Sequence, residues 1–189
     1  MKHAAMRHGC RFRQRGASAV EFAFIAALFL ALLFGIVEFG RLFFNINSTQ
    51  EITRRAAREQ VVRWVSADQQ AAVRCRAVLQ PTGCAGAAYP GAIDVTSDQI
   101  ELSFYNSYAN AMTGTSPISY SASTSAQANL GNCLIGASNC IRFVRATLRN
   151  PDGSLVNFNV LSPFLPFKGN VVPLPSSTVV MPAEALGLL

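Results

Sequence analysis

The apolar residues of this chain are concentrated in one long run near the N-terminus. From Phe22 to Val37 no charged side chain occurs, and most positions hold a large apolar residue or alanine. As a helix, residues 17–37 would be about 31 Å long, which matches the roughly 30 Å hydrocarbon core of a bilayer. The pattern therefore predicts a membrane-spanning helix.

The helical pattern continues beyond the apolar run, because no proline or glycine occurs over residues 42–79. Apolar and small side chains recur there at mostly three-to-four-residue spacing: Leu42, Ile46, Thr49, Thr53, Ala56 and Trp64. Pro81 then ends the pattern. We therefore expect one long helix, membrane-spanning over residues 17–44 and continuing outside the membrane over residues 45–80.

After Pro81 the chain changes to short alternating runs. Residues 100–105 and 141–148 are typical of strands, and residues 150–153, with the sequence Asn-Pro-Asp-Gly, are a strong turn signal. Residues 156–160 then alternate between apolar and polar, which predicts a hairpin across that turn.

The rest of this region is less regular. Further strand pairing is expected near residues 171–172 and 178–181, and residues 113–129 are expected to form a loop. Prolines limit the tail to edge strands and extended segments: Pro163, Pro166, Pro173 and Pro175. The expected fold is α+β, with the long helix packed on a small antiparallel β-rich domain over residues 81–189.

The charge of +6 is concentrated at the N-terminus. Five basic side chains and no acidic ones precede Gly16: Lys2, Arg7, Arg11, Arg13 and Arg15. By the positive-inside rule this leader stays in the cytoplasm while the C-terminal part is exported, and a terminal, charge-asymmetric apolar run disfavours a buried helix of a soluble protein. Without the leader, eleven basic side chains face ten acidic ones, so the basic balance gives no support to nucleic-acid binding.

Two features of the apolar run bear on neighbouring helices. Small residues recur every four positions: Ala19, Ala23, Ala27, Ala31 and Gly35. Such spacing lets membrane helices approach closely, although alanine is also common in these helices without any such role. Glu21 is an ionisable group at the edge of hydrocarbon, where a charge is costly and usually functional.

These residues carry a family resemblance. The segment Gly16-Ala17-Ser18-Ala19-Val20-Glu21-Phe22 resembles the class III signal of type IV prepilins. Extended through Leu33-Phe34-Gly35-Ile36-Val37-Glu38-Phe39-Gly40-Arg41, it resembles the TadE-like family of minor pseudopilins, which belong to the tight-adherence (Flp pilus) machinery. The resemblance resumes faintly at residues 177–184.

The resemblance implies a pilin-like fold and a function. A prepilin peptidase would cut between Gly16 and Ala17, removing the leader 1–16 and leaving Glu21 as an assembly carboxylate that neutralises the new amine of a neighbouring subunit. The partners would be other pilin-like subunits and the assembly platform of the bacterial inner membrane. This chain itself would cross that membrane once, with its C-terminal domain periplasmic or extracellular. The alternative is a signal-anchored periplasmic binding or adhesion domain that never enters a filament.

Four of the five cysteines lie in the part expected to be exported, and Cys10 lies in the leader. An even number in an oxidising compartment indicates disulfides, and three pairings are possible. The short loops favour Cys75–Cys84 and Cys133–Cys140. A four-cysteine zinc site is disfavoured, because these spacings are wider than those of usual zinc ligands.

The sequence offers little for catalysis. The only histidines, His3 and His8, lie in the leader, so a mature chain would lack Ser-His-Asp, Cys-His and His-ligated metal sites. No phosphate-binding glycine motif occurs. Asp94, Asp98 and Glu101 are close in sequence, but a solvated loop and strand edge explain them better than a cation site. We expect no enzymatic activity, cofactor or metal.

Overall fold

The computed structural model describes residues 17–81, 83–119, 125–161, 171–183 and 186. The expected leader 1–16, with Gly16 and Cys10, lies outside these residues, as do Pro163 and Pro166. The helices are α1 (Ala17–Val61), α2 (Ala67–Ala77), α3 (Tyr108–Thr113) and α4 (Ala126–Leu134), with a short 3-10 helix at Ser97–Gln99. The strands are β1 (Ala88–Tyr89), β2 (Ala92–Thr96), β3 (Ile100–Tyr105), β4 (Phe143–Leu148), β5 (Asn157–Asn159), β6 (Val171–Pro173) and β7 (Thr178–Pro182).

The expected α+β architecture is confirmed. The 45-residue helix α1 is followed by small antiparallel sheets, and the C-terminal half of α1 packs against them. Three small sheets are present in the described residues, with strand orders β1-β2, β3-β4-β7 and β5-β6.

The long helix is shorter than the sequence predicts. It ends at Val61, and the expected continuation to residue 80 is wrong, because a second helix begins at Ala67. Ser66 caps that helix by accepting a hydrogen bond from the backbone N–H of Gln69, a start signal inside a stretch free of proline and glycine. The new helix, α2, packs back along α1, so that Arg76 forms an ion pair with Glu59.

The central sheet differs from the expected hairpin. The turn at residues 150–153 forms, with the N–H of Gly153 donating to the carbonyl of Asn150. However, β4 pairs with β3 on one side and β7 on the other, so both of its edges are occupied. The strand after the turn, β5, therefore pairs with β6 instead, and the expected hairpin across the turn is wrong.

The expected loop over residues 113–129 is only partly correct. Helix α3 ends at Thr113, and α4 begins at Ala126 after Ser125, whose hydroxyl accepts from the N–H of Ala128. Between them, residues 120–124 lie outside the described part of the chain. Periodicity failed here because these helices are short and rich in alanine and polar residues.

The core lies between the C-terminal half of α1 and the central sheet. On the helix side, Ile52, Ala56 and Ala57 are fully buried, and the alanines let the sheet approach the helix closely. The strands contribute alternate residues, so that Val144, Ala146 and Leu148 face this core.

Strand β7 runs in the same direction as α1. The hydroxyl of Ser177, just before β7, bonds to that of Thr53, while the N–H of Leu186, after β7, donates to the carbonyl of Val61. The domain is thus held along α1 from both ends of this strand.

Candidate functional site along the long helix

The N-terminal half of α1 is almost entirely exposed. Residues 18–37 are exposed except for Ala26 and Gly35, which are half-buried, and the bare side chains include Phe22, Leu28 and Ile36. This stretch is long and apolar enough to cross a membrane, and none of it is buried within the protein. The helix could therefore span a membrane, consistent with a single-pass membrane protein.

The row of small residues lies on this bare half. Ala19, Ala23, Ala27 and Ala31 are exposed, and a Cβ atom added at Gly35 would meet nothing within 4 Å. Packing within the chain therefore gives no reason for a glycine at this position. The helix-packing role expected from the spacing stays a prediction, because the structure brings no second helix to the row.

The residues of the expected processing signal lie at the start of α1. Ala17 is the first residue of the helix, and Glu21 is exposed one turn later. Gly16 lies outside the described residues, so the geometry of the Gly16–Ala17 bond is not part of the structure. Cleavage there and the role of Glu21 in assembly stay predictions.

The domain meets the helix at a partly buried ion pair. Glu38 is only 7% exposed, and its Oε2 atom accepts a hydrogen bond of 2.8 Å from Nη1 of Arg41. Its Oε1 atom accepts from the backbone N–H of Leu161 at 2.9 Å. The guanidinium of Arg41 in turn lies 5.1 Å from the ring centre of Phe158 on β5. Glu38 thus fixes the end of β5 to the helix, immediately after the apolar run.

The sequence pattern did not predict this role of Glu38. The available signal was Arg41 three residues later, because that spacing puts both side chains on one helix face. The other partner, the N–H of Leu161, is a backbone group 123 positions away along the chain. No local pattern identifies such a partner.

Beyond Glu38 the buried face of α1 carries polar side chains with partners in the domain. Asn45 donates to Asp94 on β2 at 3.3 Å, and Asn159 on β5 donates to the other carboxylate oxygen at 2.7 Å. Thr53 shares a hydrogen bond of 2.6 Å with Ser177 and also donates to helix carbonyls. The threonines that weaken the apolar stripe in the sequence are therefore buried contacts of the helix.

Both disulfides join the pairs that the spacing favours. Cys75–Cys84 links the end of α2 to the segment before β1, with Cα atoms 5.4 Å apart. Cys133–Cys140 closes the loop after α4, with Cα atoms 4.9 Å apart. The second loop is also held by Asn106, whose amide donates to the carbonyls of Ala137 and Cys140.

The three carboxylates that are close in sequence lie on different elements. Asp94 is in β2 and bound by two amides, Asp98 is in the 3-10 helix, and Glu101 is in β3. Over the described ranges, no three His, Cys, Asp or Glu side chains come together in a way that could hold a metal ion.

Comparison with known proteins finds a family match for one region of the chain. Neither the curated proteins nor the solved structures include a significant match. One family model does match, and its residues cover the bare half of α1, the junction at Glu38 and most of the helix that packs on the domain. Residues 16–58 of this chain match the family described as TadE-like protein, the family that its sequence resembles.

Proposed function

We propose that this chain is a minor pilin-like (pseudopilin) subunit that acts in the biogenesis of a tight-adherence (Flp) pilus. The observation that carries the proposal is the family match over residues 16–58, which coincides with a helix whose apolar half is bare and whose other half holds a domain. The family connects the chain with a Tad/Flp pilus system, and the bare helix supplies a surface for membrane and neighbouring subunits.

In this proposal the chain is inserted in the bacterial inner membrane with its basic leader in the cytoplasm. A prepilin peptidase cuts between Gly16 and Ala17. The leader carries five of the sixteen Lys and Arg residues, so its removal leaves the bare helix without its cytoplasmic anchor of positive charge. The freed amine of Ala17 then pairs with Glu21 of a neighbouring subunit, because opposite charges attract strongly when they leave water.

The chain acts in this proposal as a structural subunit and as a substrate of the peptidase, without catalysis of its own. Its only histidines precede Gly16 and would be lost on cleavage. The carboxylates Glu38 and Asp94 are engaged in holding the domain to the helix, which supports a structural use for them.

The testing experiment is co-expression with a cognate prepilin peptidase, followed by N-terminal sequencing. We expect a product that begins at Ala17. We expect Gly16→Val to prevent its formation, because the peptidase binds the backbone in an extended form and the residue before the cut must have little side chain. Gly40→Val is the control, since a Cβ atom at Gly40 meets nothing within 4 Å. It should be cut normally. An uncut wild-type chain would favour the signal-anchored domain that never enters a filament.

A further inference from the structure

Exposed apolar side chains lie on the described part of the domain at the level where the apolar run of α1 ends. Leu161 is 66% exposed although its backbone N–H is bound to Glu38, the first residue after the apolar run. Val171, which begins β6, lies beside the end of β5, because it pairs with Asn159. Phe39 on α1 is 60% exposed at the same level. We call Leu161, Val171 and Phe39 the membrane-side rim.

The rim adjoins an apolar notch between helix and domain. Gly35 and Phe39 line the notch from α1, and Phe158, Val160 and Val172 line it from β5 and β6. Glu38 and Leu42 also line the notch. Because Gly35 belongs to the apolar run, the notch joins the apolar surface of that run to the domain.

Polar side chains adjoin the rim, because Asn159 pairs directly with Val171. Asn45, Asp94 and Asn159 form a hydrogen-bonded cluster that joins α1, β2 and β5. Asn45 is seven residues beyond Glu38, a rise of about 10 Å along the helix. The rim lies at the level of Glu38, where the apolar run ends, and interfacial segments bury their apolar faces about 5–10 Å into the headgroup boundary at such a level.

We propose that the membrane-side rim inserts into the headgroup boundary of the bilayer that α1 spans, so that lipid covers Leu161 and Val171. This inference rests on one part of the proposed function, namely that α1 spans the membrane. The domain then contacts the membrane before assembly, and the hydrogen bond from the N–H of Leu161 to Glu38 fixes its tilt. A second copy covering the same rim is the competing occupant.

The test uses the full chain in vesicles of phosphatidylcholine and phosphatidylglycerol, with Trp64 replaced by Phe because it is the single tryptophan. Leu161→Trp should lose fluorescence when the lipids carry bromine at the headgroup end of their acyl chains, and lose less with bromine at the chain ends. Ile135→Trp is the matched control, since Ile135 is 80% exposed in the Cys133–Cys140 loop. It should keep its fluorescence.

Two further variants separate failure of the rim inference from failure of the proposed membrane span. Leu28→Trp reports on the span, and its failure to be quenched would overturn the proposed function as well. If Leu28→Trp is quenched while Leu161→Trp is not, the rim inference alone is wrong. Emission at Leu161→Trp that is blue-shifted, unquenched and dependent on the protein-to-lipid ratio would assign the rim to a second copy. Val171→Trp replaces Leu161→Trp if peptide mapping shows that the latter has lost its disulfides.

Discussion

Helix α1 has two halves with opposite surroundings and opposite compositions. Residues 18–37 are exposed apart from Ala26 and Gly35, which are half-buried, and they are apolar apart from Glu21 and Ser18. Beyond them, the half that packs on the domain buries polar side chains, namely Glu38, Asn45, Ser48, Thr49, Thr53 and Gln60. Polar groups are tolerated away from water mainly where partners are supplied, and the domain supplies them for Glu38, Asn45 and Thr53. Glu21 is the exception, because it is a carboxylate on the exposed, apolar half of α1.

The largest effect of a substitution is expected at Glu21. We expect Glu21→Gln to be inserted and cleaved but to support no pili, because a neighbour's buried amine would lose its partner at a cost of about 3–5 kcal/mol. The measurement is complementation of a deletion strain, with cleavage followed by blotting and pili by microscopy. Glu38→Gln is the matched control and should restore pili. Normal piliation with Gln at position 21 would contradict the charge-pairing idea.

The two halves should also differ in what an isoleucine contributes to folding. Ile52 is fully buried against the domain, so Ile52→Ala should lower the free energy of unfolding by about 2–5 kcal/mol. Ile36 is 64% exposed on the bare half, and Ile36→Ala should leave that free energy nearly unchanged. Denaturant unfolding of both variants in the same detergent compares them. Equal losses would mean that the bare half packs on the domain.

A smaller effect is expected where the two halves meet. Glu38→Gln keeps an acceptor for the N–H of Leu161 but removes the charge opposite Arg41, which should cost about 1 kcal/mol of unfolding free energy. Glu38→Leu removes both interactions and should cost more. Denaturant midpoints measure both. A stability equal to wild type for Glu38→Leu would show that Glu38 does not hold the domain to the helix.

The smallest effect is expected in a turn far from the helix in sequence. The carboxylate of Asp152 is hydrogen-bonded by Ser154, which lowers the pKa of Asp152 below its usual 3.8. The folded state therefore gains stability above the unfolded pKa and loses it as the pH falls through the lower, folded pKa. Asp152→Asn should have a slightly lower melting temperature than wild type near pH 7, and the two should converge in acid. A constant difference at all pH values would contradict this.

The parts of the fold that sequence could predict are those set by nearby residues. The apolar run, the strand at residues 100–105 and the turn at 150–153 follow from spacing and turn chemistry over a few positions. The disulfides follow from the short loops between their cysteines. The end of α1 was missed although Ser66 and Gln69 signal a helix start, because only proline and glycine were taken as helix breakers.

The parts that sequence could not predict depend on distant residues. The partner of β5 was wrong because the edges of β4 are occupied by β3 and β7, a matter of tertiary competition. Likewise, the role of Glu38 depends on Leu161, and that of Thr53 depends on Ser177. These choices are made by the assembled domain and have no local pattern.

The contact between Thr53 and Ser177 also affects when the domain can fold. The two residues are 124 positions apart, and β7 follows directly after Ser177 in the chain. In the proposed topology, β4 lacks one neighbour and the buried face of α1 lacks part of its cover until residues 177–182 have crossed the membrane. Pairings between such distant segments form slowly, because a long loop must close first. In that topology the helix would hold the chain at the membrane well before the domain can close, and a truncation before Ser177 would leave the anchor inserted and the domain open.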